Sequence, residues 1–473
     1  MTSEIHADVA IIGAGTAGLY ALREVRRARK SFVLIDRGPL GTTCARVGCM
    51  PSKSALHVAE LWGARLKFAR FGGDRGEALA LDRSRAWQHV RMQRDGFTAS
   101  AAGKAREGAG EHLIEGHARF LEPNVLEVEG PGGRRIVRAG AVVIATGSHP
   151  VRPAWLQPLG KRVVSTDELF ELETVPDAIG VLGLGAIGLE MGLALARLGV
   201  RVVGADVAAV PAGIADPVVA ERAITRFGKE IELWLGETAS VAVDGAGLAL
   251  ASGERRAQVD LVLAALGRRP NTDGLDLAAA GVALGPRGEI PFDPATMQVG
   301  ALPMFVAGDA SGDRPLMHEA ADEGAIAGFN AARGLRTRFR RKVALGIAFS
   351  QPDVAAVGER FDALDPASII IGSAEGATNG RSRVLDAGDN LLRIYADAAS
   401  GRLRGAALVS QDGEHLAHLL AWAIQRGETA AGLLEMPFYH PVVEEMVQSA
   451  LQDIVGRIPA VGGLPPGLSA EEA

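Results

Sequence analysis

The chain has 473 residues, 48% of them apolar and 22% charged, a globular composition whose length suggests roughly two to four domains and excludes a disordered or fibrous protein. Its 50 Lys and Arg against 56 Asp and Glu give a net charge of −6, with no general attraction for nucleic acid or anionic membranes. MTSEIHADV runs almost directly into IIGAG without a basic leader, a cleavage site or an apolar run near about twenty residues, so the expectation is a cytoplasmic protein with no membrane partner.

Residues 8–36 read as an apolar strand, Gly13-x-Gly15-x-x-Gly18, a helical pattern and a second apolar strand ending in Asp36. This is a dinucleotide fingerprint in full context. Gly13 permits the tight turn, Gly15 lets the backbone approach a pyrophosphate, and Gly18 lets helix and strand pack closely. Asp36 is expected to accept hydrogen bonds from an adenosine ribose.

The stretch GTTCARVGCMPSK, 41–53, then holds both cysteines of the chain, Cys44 and Cys49. In a reducing compartment such a pair points to catalysis or metal rather than to a staple, and two unrelated buried thiols remain the plain alternative. A zinc site wants about four Cys or His ligands, and no second pair follows. In a regular helix, residues five apart have Cα atoms about 8 to 9 Å from each other, past the disulfide limit of about 7 Å, so a bridge here requires a distorted turn.

Residues 56–108 read as long helices interrupted by the polar FGGDRGEALALDRS. The strand VVIATGS at 142–148 then enters a glycine turn at Thr146 and Gly147. At 180–206 the first pattern recurs: strand, Gly183-x-Gly185-x-x-Gly188, helix, strand and Asp206, with both acids equally far from their first glycine. LVLAALGRRPN, 261–271, repeats the later turn at Gly267. Two dinucleotide sites are expected. Asp206 favours a free ribose 2′-hydroxyl and repels a 2′-phosphate, which predicts NAD over NADP.

Together with MFVAGDASGDRPLMHEAADEG at 304–324 and MPFYHPVVEEMV at 436–447, these segments resemble the class I pyridine nucleotide-disulfide oxidoreductase family, on its dihydrolipoamide dehydrogenase branch. The resemblance implies an α/β fold with two Rossmann-like domains and a C-terminal α+β dimerisation domain. It implies an FAD domain over 1–150 carrying the redox disulfide, an NAD domain over 151–270, a segment over 271–340 completing the FAD site, and an interface domain over 341–473. FAD and NAD are the implied cofactors and a homodimer the implied assembly.

Roles follow by position. Cys44 is implied as the thiol that forms the mixed disulfide with substrate, and Cys49 as the thiol lying against the flavin. Lys53 is implied near flavin N5 and paired with Glu190, while Gly308 and Asp309 complete the flavin site, Asp309 on the ribityl chain. The helix after Leu316 is expected to aim its N-terminus at the flavin. His440, oriented by Glu445, is implied as the base that reaches a partner's disulfide across the interface, after the interface-like segment AFSQPDVAAVG at 348–358. The other histidines receive no role. Absence of further cysteines argues against the mercuric branch.

The implied reaction is oxidation of dihydrolipoamide by NAD+, and with no lipoyl domain expected before Gly13 the lipoyl group is expected to arrive free or on another protein. Phe438, Tyr439 and Val442 depart from the small or polar residues usual around the His-Pro element, making the mouth bulkier and more apolar. Alternatives are a reductase of another disulfide, an NADH diaphorase or oxidase, and a flavoprotein scaffold subunit. The tail GGLPPGLSAEEA is expected to be flexible.

Overall fold

The structure, a computed structural model, describes residues 3–286, 288–458, 465 and 467–470, so most of the expected flexible tail lies outside the described residues. Strands rich in Val, Ile and Ala at both repeats bury both faces, as parallel strands covered by helices must. In the first sheet, Ser3–Ile12 pairs in parallel with Phe32–Asp36 on one side and Gly133–Ile144 on the other. Met304–Val306 returns from far along the chain to extend this sheet in parallel beside 142–144. On that same side of Gly133–Ile144, along residues 133–138, the antiparallel strands Val125–Gly130 and His117–Glu122 continue the sheet.

The second sheet is five-stranded and parallel, with Ala178–Leu182 between Arg201–Asp206 and Leu261–Ala264. A short antiparallel ribbon, Ser148–Pro150 with Arg268–Pro270, ties the chain leaving the first sheet to the chain leaving the second. The C-terminal part is a five-stranded antiparallel sheet covered by the helices Gly413–Arg426 and Glu445–Val455. The fold is therefore α/β, with two Rossmann-like units and an α+β C-terminal part.

The region expected to be helical holds Cys49–Gly63, a 3-10 stretch over Ala64–Phe71 and Arg83–Ala109. Helix Thr16–Arg27 lies almost backbone to backbone on helix Met317–Arg333. A Cβ on Gly324 would stand 2.1 Å from the Ala17 carbonyl oxygen, and one on Gly328 2.4 Å from that of Ala21. No described helix is long and apolar enough to cross a membrane.

Candidate active site

The glycines of the first loop divide the work by geometry. Gly13 has φ +108°, and a Cβ there would meet the Ala145 carbonyl oxygen at 2.2 Å; one on Gly18 would meet the Gly13 oxygen at 1.8 Å. Gly15 faces open space. The second loop repeats each feature: Gly183 at φ +86° with the Ala265 oxygen 2.4 Å away, Gly188 1.9 Å from the Gly183 oxygen, and Gly185 open. Only the middle glycine of each loop is free to meet a ligand, while the outer two pack backbone on backbone.

Each terminal acid ties its loop to its strand. Asp36 accepts from the N–H groups of Ala14 at 2.6 Å and Gly38 at 2.7 Å. Asp206 accepts from Leu184 at 2.5 Å and Ala208 at 2.8 Å. A carboxylate oxygen has a second lone pair, so these bonds leave acceptor capacity for a ribose hydroxyl.

Two cavities of about 480 and 270 Å³ share Gly15, Thr43, Val47, Ala145, Gly147 and Arg268 in their walls and so form one groove. The larger runs past Asp36 and Thr146; the smaller is walled by Cys44, Cys49, Lys53, Glu190, Gly308 and Asp309. The Thr146 hydroxyl oxygen is buried without a hydrogen-bond partner among the described residues. An open glycine at a helix N-terminus, an acid beyond it and an orphaned hydroxyl on a long groove fit an adenine dinucleotide extended from Asp36 to the cysteines. The helix Met317–Arg333 begins at the smaller cavity, with Leu316 and Met317 in its wall and no side chain capping its first N–H groups. Those donors favour negative charge there.

The cysteines sit where the helix is broken. Thr43–Val47 ends at Gly48, whose φ −127° and ψ −117° are non-helical, and Cys49–Gly63 starts immediately after. This is the distorted turn that the five-residue spacing requires, and it brings the thiols into hydrogen-bond contact. The expected bridge is not formed in this structure; both cysteines are free thiols. The pair is strongly unequal. The hydrogen bond from Cys44, helped by the Lys53 ammonium and opposed by burial, brings Cys49 down to about 7. The same hydrogen bond and burial push the Cys44 thiol well up.

Lys53 Nζ lies 2.9 and 2.8 Å from the two Glu190 carboxylate oxygens. Glu190, only 4% exposed, projects from helix Ala186–Arg197, which opens on the second glycine loop. Asp309 is fixed by a 2.5 Å hydrogen bond from Ser148, and Ser148 accepts from Arg268 Nε at 2.8 Å. The Gly308 N–H donates to buried Glu323 at 2.8 Å, and Arg341 pairs with Glu323 at 2.7 Å.

His440 stands apart from this groove. It is 77% exposed, its Nδ1 is 2.9 Å from a Glu445 oxygen, and the other oxygen accepts from the Val442 N–H at 3.1 Å. Those two bonds hold the Glu445 carboxyl below its usual range. Ile347 is the sole contribution of residues 341–458 to the walls of the smaller cavity.

Several wall residues escaped the sequence reading. Arg268 and Asn271 follow Gly267 directly and the repeated strand-and-turn pattern pointed to them; His117 and His149 line the larger cavity but had no motif around them. Phe349, outside both walls, lies in the segment 348–358 read only as interface-like. Among the described residues no cluster of His, Cys, Asp and Glu could hold a metal ion.

Residues 7–324 match the family described as pyridine nucleotide-disulphide oxidoreductase, and 345–451 match that family's dimerisation domain. A dihydrolipoyl dehydrogenase of Vibrio parahaemolyticus is 30% identical over 471 residues, 97% of this chain and 98% of that protein. One from Bacillus subtilis is 29% identical over 462 residues, 95% of this chain and 98% of the relative. Among solved structures, LpdA of Mycobacterium tuberculosis superposes with a TM-score of 0.83 at 22% identity, over 95% of this chain and 99% of that one. The Cu(II) complex of RclA, a HOCl-induced flavoprotein disulfide reductase of Escherichia coli, gives 0.82 at 22% identity over 96% and 99%; these two likenesses bear on fold alone. The chain belongs to the pyridine nucleotide-disulphide oxidoreductases, flavoenzymes that use FAD and NAD(H), and is a flavoprotein disulfide oxidoreductase.

Proposed function

We propose that the protein is a cytoplasmic homodimer that oxidises dihydrolipoamide, free or carried on another protein, with NAD+. One observation carries this reading: a single cavity is walled by Cys44 and Cys49, by Gly15 of the first loop and by the helix of the second loop. With the cysteines bridged, a substrate thiolate attacks Cys44 Sγ, the S–S bond breaks, and the electron pair stays on Cys49 as thiolate. The second substrate thiol then displaces Cys44 from the mixed disulfide. The substrate has lost two electrons and two protons, and the pair has gained the electrons.

The low thiol of Cys49 suits it to hold the negative charge, and Lys53 stands beside it as counter-charge. His440 of the partner subunit takes the substrate proton, its ring oriented by the carboxylate of Glu445. FAD, when bound along the groove, supplies the chemistry that carries the electron pair onward to NAD+. Gly13, Gly15, Gly18, Asp36, Thr146, Gly147, Gly308 and Asp309 would hold it, and Gly183, Gly185, Gly188, Asp206 and Gly267 would hold NAD.

The test is NADH formation from dihydrolipoamide and NAD+ by the purified flavoprotein, with Cys44→Ser as control. Turnover that Cys44→Ser abolishes supports the reading; NADH oxidation with no dihydrolipoamide-dependent NADH formation overturns it. A second reading, reduction of a different disulfide, draws on Phe438, Val442 and Tyr439, the last 81% exposed beside His440. It predicts NADH consumption with an apolar disulfide in place of lipoamide.

A further inference from the structure

The Lys53–Glu190 pair has a third member from the C-terminal part of the chain. The Phe349 N–H donates to Glu190 Oε1 at 2.9 Å, and Lys53 Nζ lies 4.5 Å from the centre of the Phe349 ring. The turn that carries Phe349 is clamped to the helix that carries Glu190. Arg197, at the end of that helix, donates to the carbonyl oxygens of Ser350 at 2.8 Å and Gln351 at 2.6 Å, and is itself held by Glu230 at 2.7 Å. Glu190 within Ala186–Arg197 and Arg197 at its end therefore fix where the turn carrying the ring sits.

We infer that Phe349 is a positioning residue for the active site: its backbone N–H fixes the Glu190 carboxylate, and its ring holds the Lys53 ammonium in place beside Cys49. A cation over an aromatic face is held electrostatically, and the more so out of water. A buried carboxylate alone leaves the long lysine stem free to choose among rotamers; the ring on the other side removes that choice. The arrangement makes the electrostatics of the cysteine pair depend on docking of the C-terminal sheet. The inference rests on the reading that Lys53 and Cys49 share one site.

The consequence is legible in how the cysteine pair takes up protons. Within the chain the groups facing Cys49 are Cys44, Lys53 and Glu190, and in the proposed homodimer His440 of the partner subunit stands at the same disulfide, so the variants are compared in chains that all carry His440→Ala. Below its titration, reduction of the disulfide binds two protons with two electrons; above it, one, so the slope of the pair's potential against pH halves at the Cys49 titration. In the flavoprotein with Phe349 and Lys53 intact, equilibrated with dithiol buffers, acid-quenched and counted for disulfide, the break falls below the ordinary thiol range.

Phe349→Leu leaves the N–H in place and removes the ring face, so the break moves up by about half to one pH unit. Phe349→Tyr keeps the face and leaves the break where it stands with Phe349. Phe349→Met offers the same comparison should the Leu chain fail to fold, and Lys53→Met moves the break upward by removing the cation itself. If Lys53→Met moves the break while Phe349→Leu and Phe349→Met do not, or if Phe349→Tyr moves it as far as they do, the inference is overturned. If Lys53→Met leaves it unmoved, the shared site of Lys53 and Cys49 fails, and the inference with it. Turnover of dihydrolipoamide plays no part in this readout, so a different substrate leaves the result intact.

Discussion

The two glycine loops are near copies in backbone and opposites in surroundings. Gly13 and Gly183, Gly18 and Gly188, Asp36 and Asp206 make matching contacts, down to the pair of N–H groups on each acid. Yet helix Thr16–Arg27 presses Ala17 and Ala21 onto Gly324 and Gly328, whereas helix Ala186–Arg197 turns Glu190 to Lys53 beside the cysteines. At the position equivalent to Glu190 the first helix carries Tyr20, whose ring meets Arg23 on its own helix. A cradle is a property of local spacing; chemistry is added by what the tertiary fold brings against it.

The largest way to break the likeness is to fill the tight glycines. Gly18→Ala puts a Cβ where a carbonyl oxygen stands 1.8 Å away, so the backbone must move, and the purified protein should lose its flavin absorbance entirely. Gly188→Ala, with its Cβ 1.9 Å from the Gly183 carbonyl oxygen, should keep flavin and lose NADH binding. Equal loss of both cofactors in the two variants would show that the loops do not serve separate dinucleotides.

Next come the groups that only one side carries. Cys44→Ser should lower dithiol oxidation by about a thousandfold or more, while NADH-driven reduction of an artificial one-electron acceptor, which needs both cradles but no cysteine, persists. His440→Ala should cost on the order of a hundredfold in the same dithiol assay and also spare the acceptor reaction. Parallel loss of both activities in either variant would mean that the cysteine side is not separable from the nucleotide side.

The smallest effect concerns the acids. Asp206 should hold kcat/KM for NADH at least about tenfold above that for NADPH, roughly 1.4 kcal/mol, and Asp206→Ser should narrow the gap. Asp36→Ser should leave that ratio untouched. A ratio that Asp36→Ser shifts as much as Asp206→Ser does would contradict the assignment of the second loop to NAD.

These contrasts also mark what the sequence could disclose. Gly13, Gly15 and Gly18 were readable because strand, turn and helix lie within one short window, and the recurrence at 183–206 doubled the signal. The Cys44 and Cys49 spacing called for a broken helix, and Gly48 supplies the break. The Lys53–Glu190 pair was reached only through family resemblance, since neither residue's periodicity marks it. Phe349 meets partners more than a hundred residues away through a backbone N–H and a ring face, neither of which leaves a pattern in sequence. His117 and the Glu323–Arg341 pair likewise had no sequence pattern to mark them.

The central claim is that one dithiol site is built from the cysteines of one chain and His440 of the partner subunit. It is tested most directly by mixing Cys44→Ser chains with His440→Ala chains under conditions that exchange subunits, and measuring dihydrolipoamide oxidation. Equal mixing makes half the dimers mixed, each with one site free of both defects, so activity should return to about a quarter of the wild-type value. A mixture that stays as inactive as its parents, with subunit exchange proven, contradicts the account.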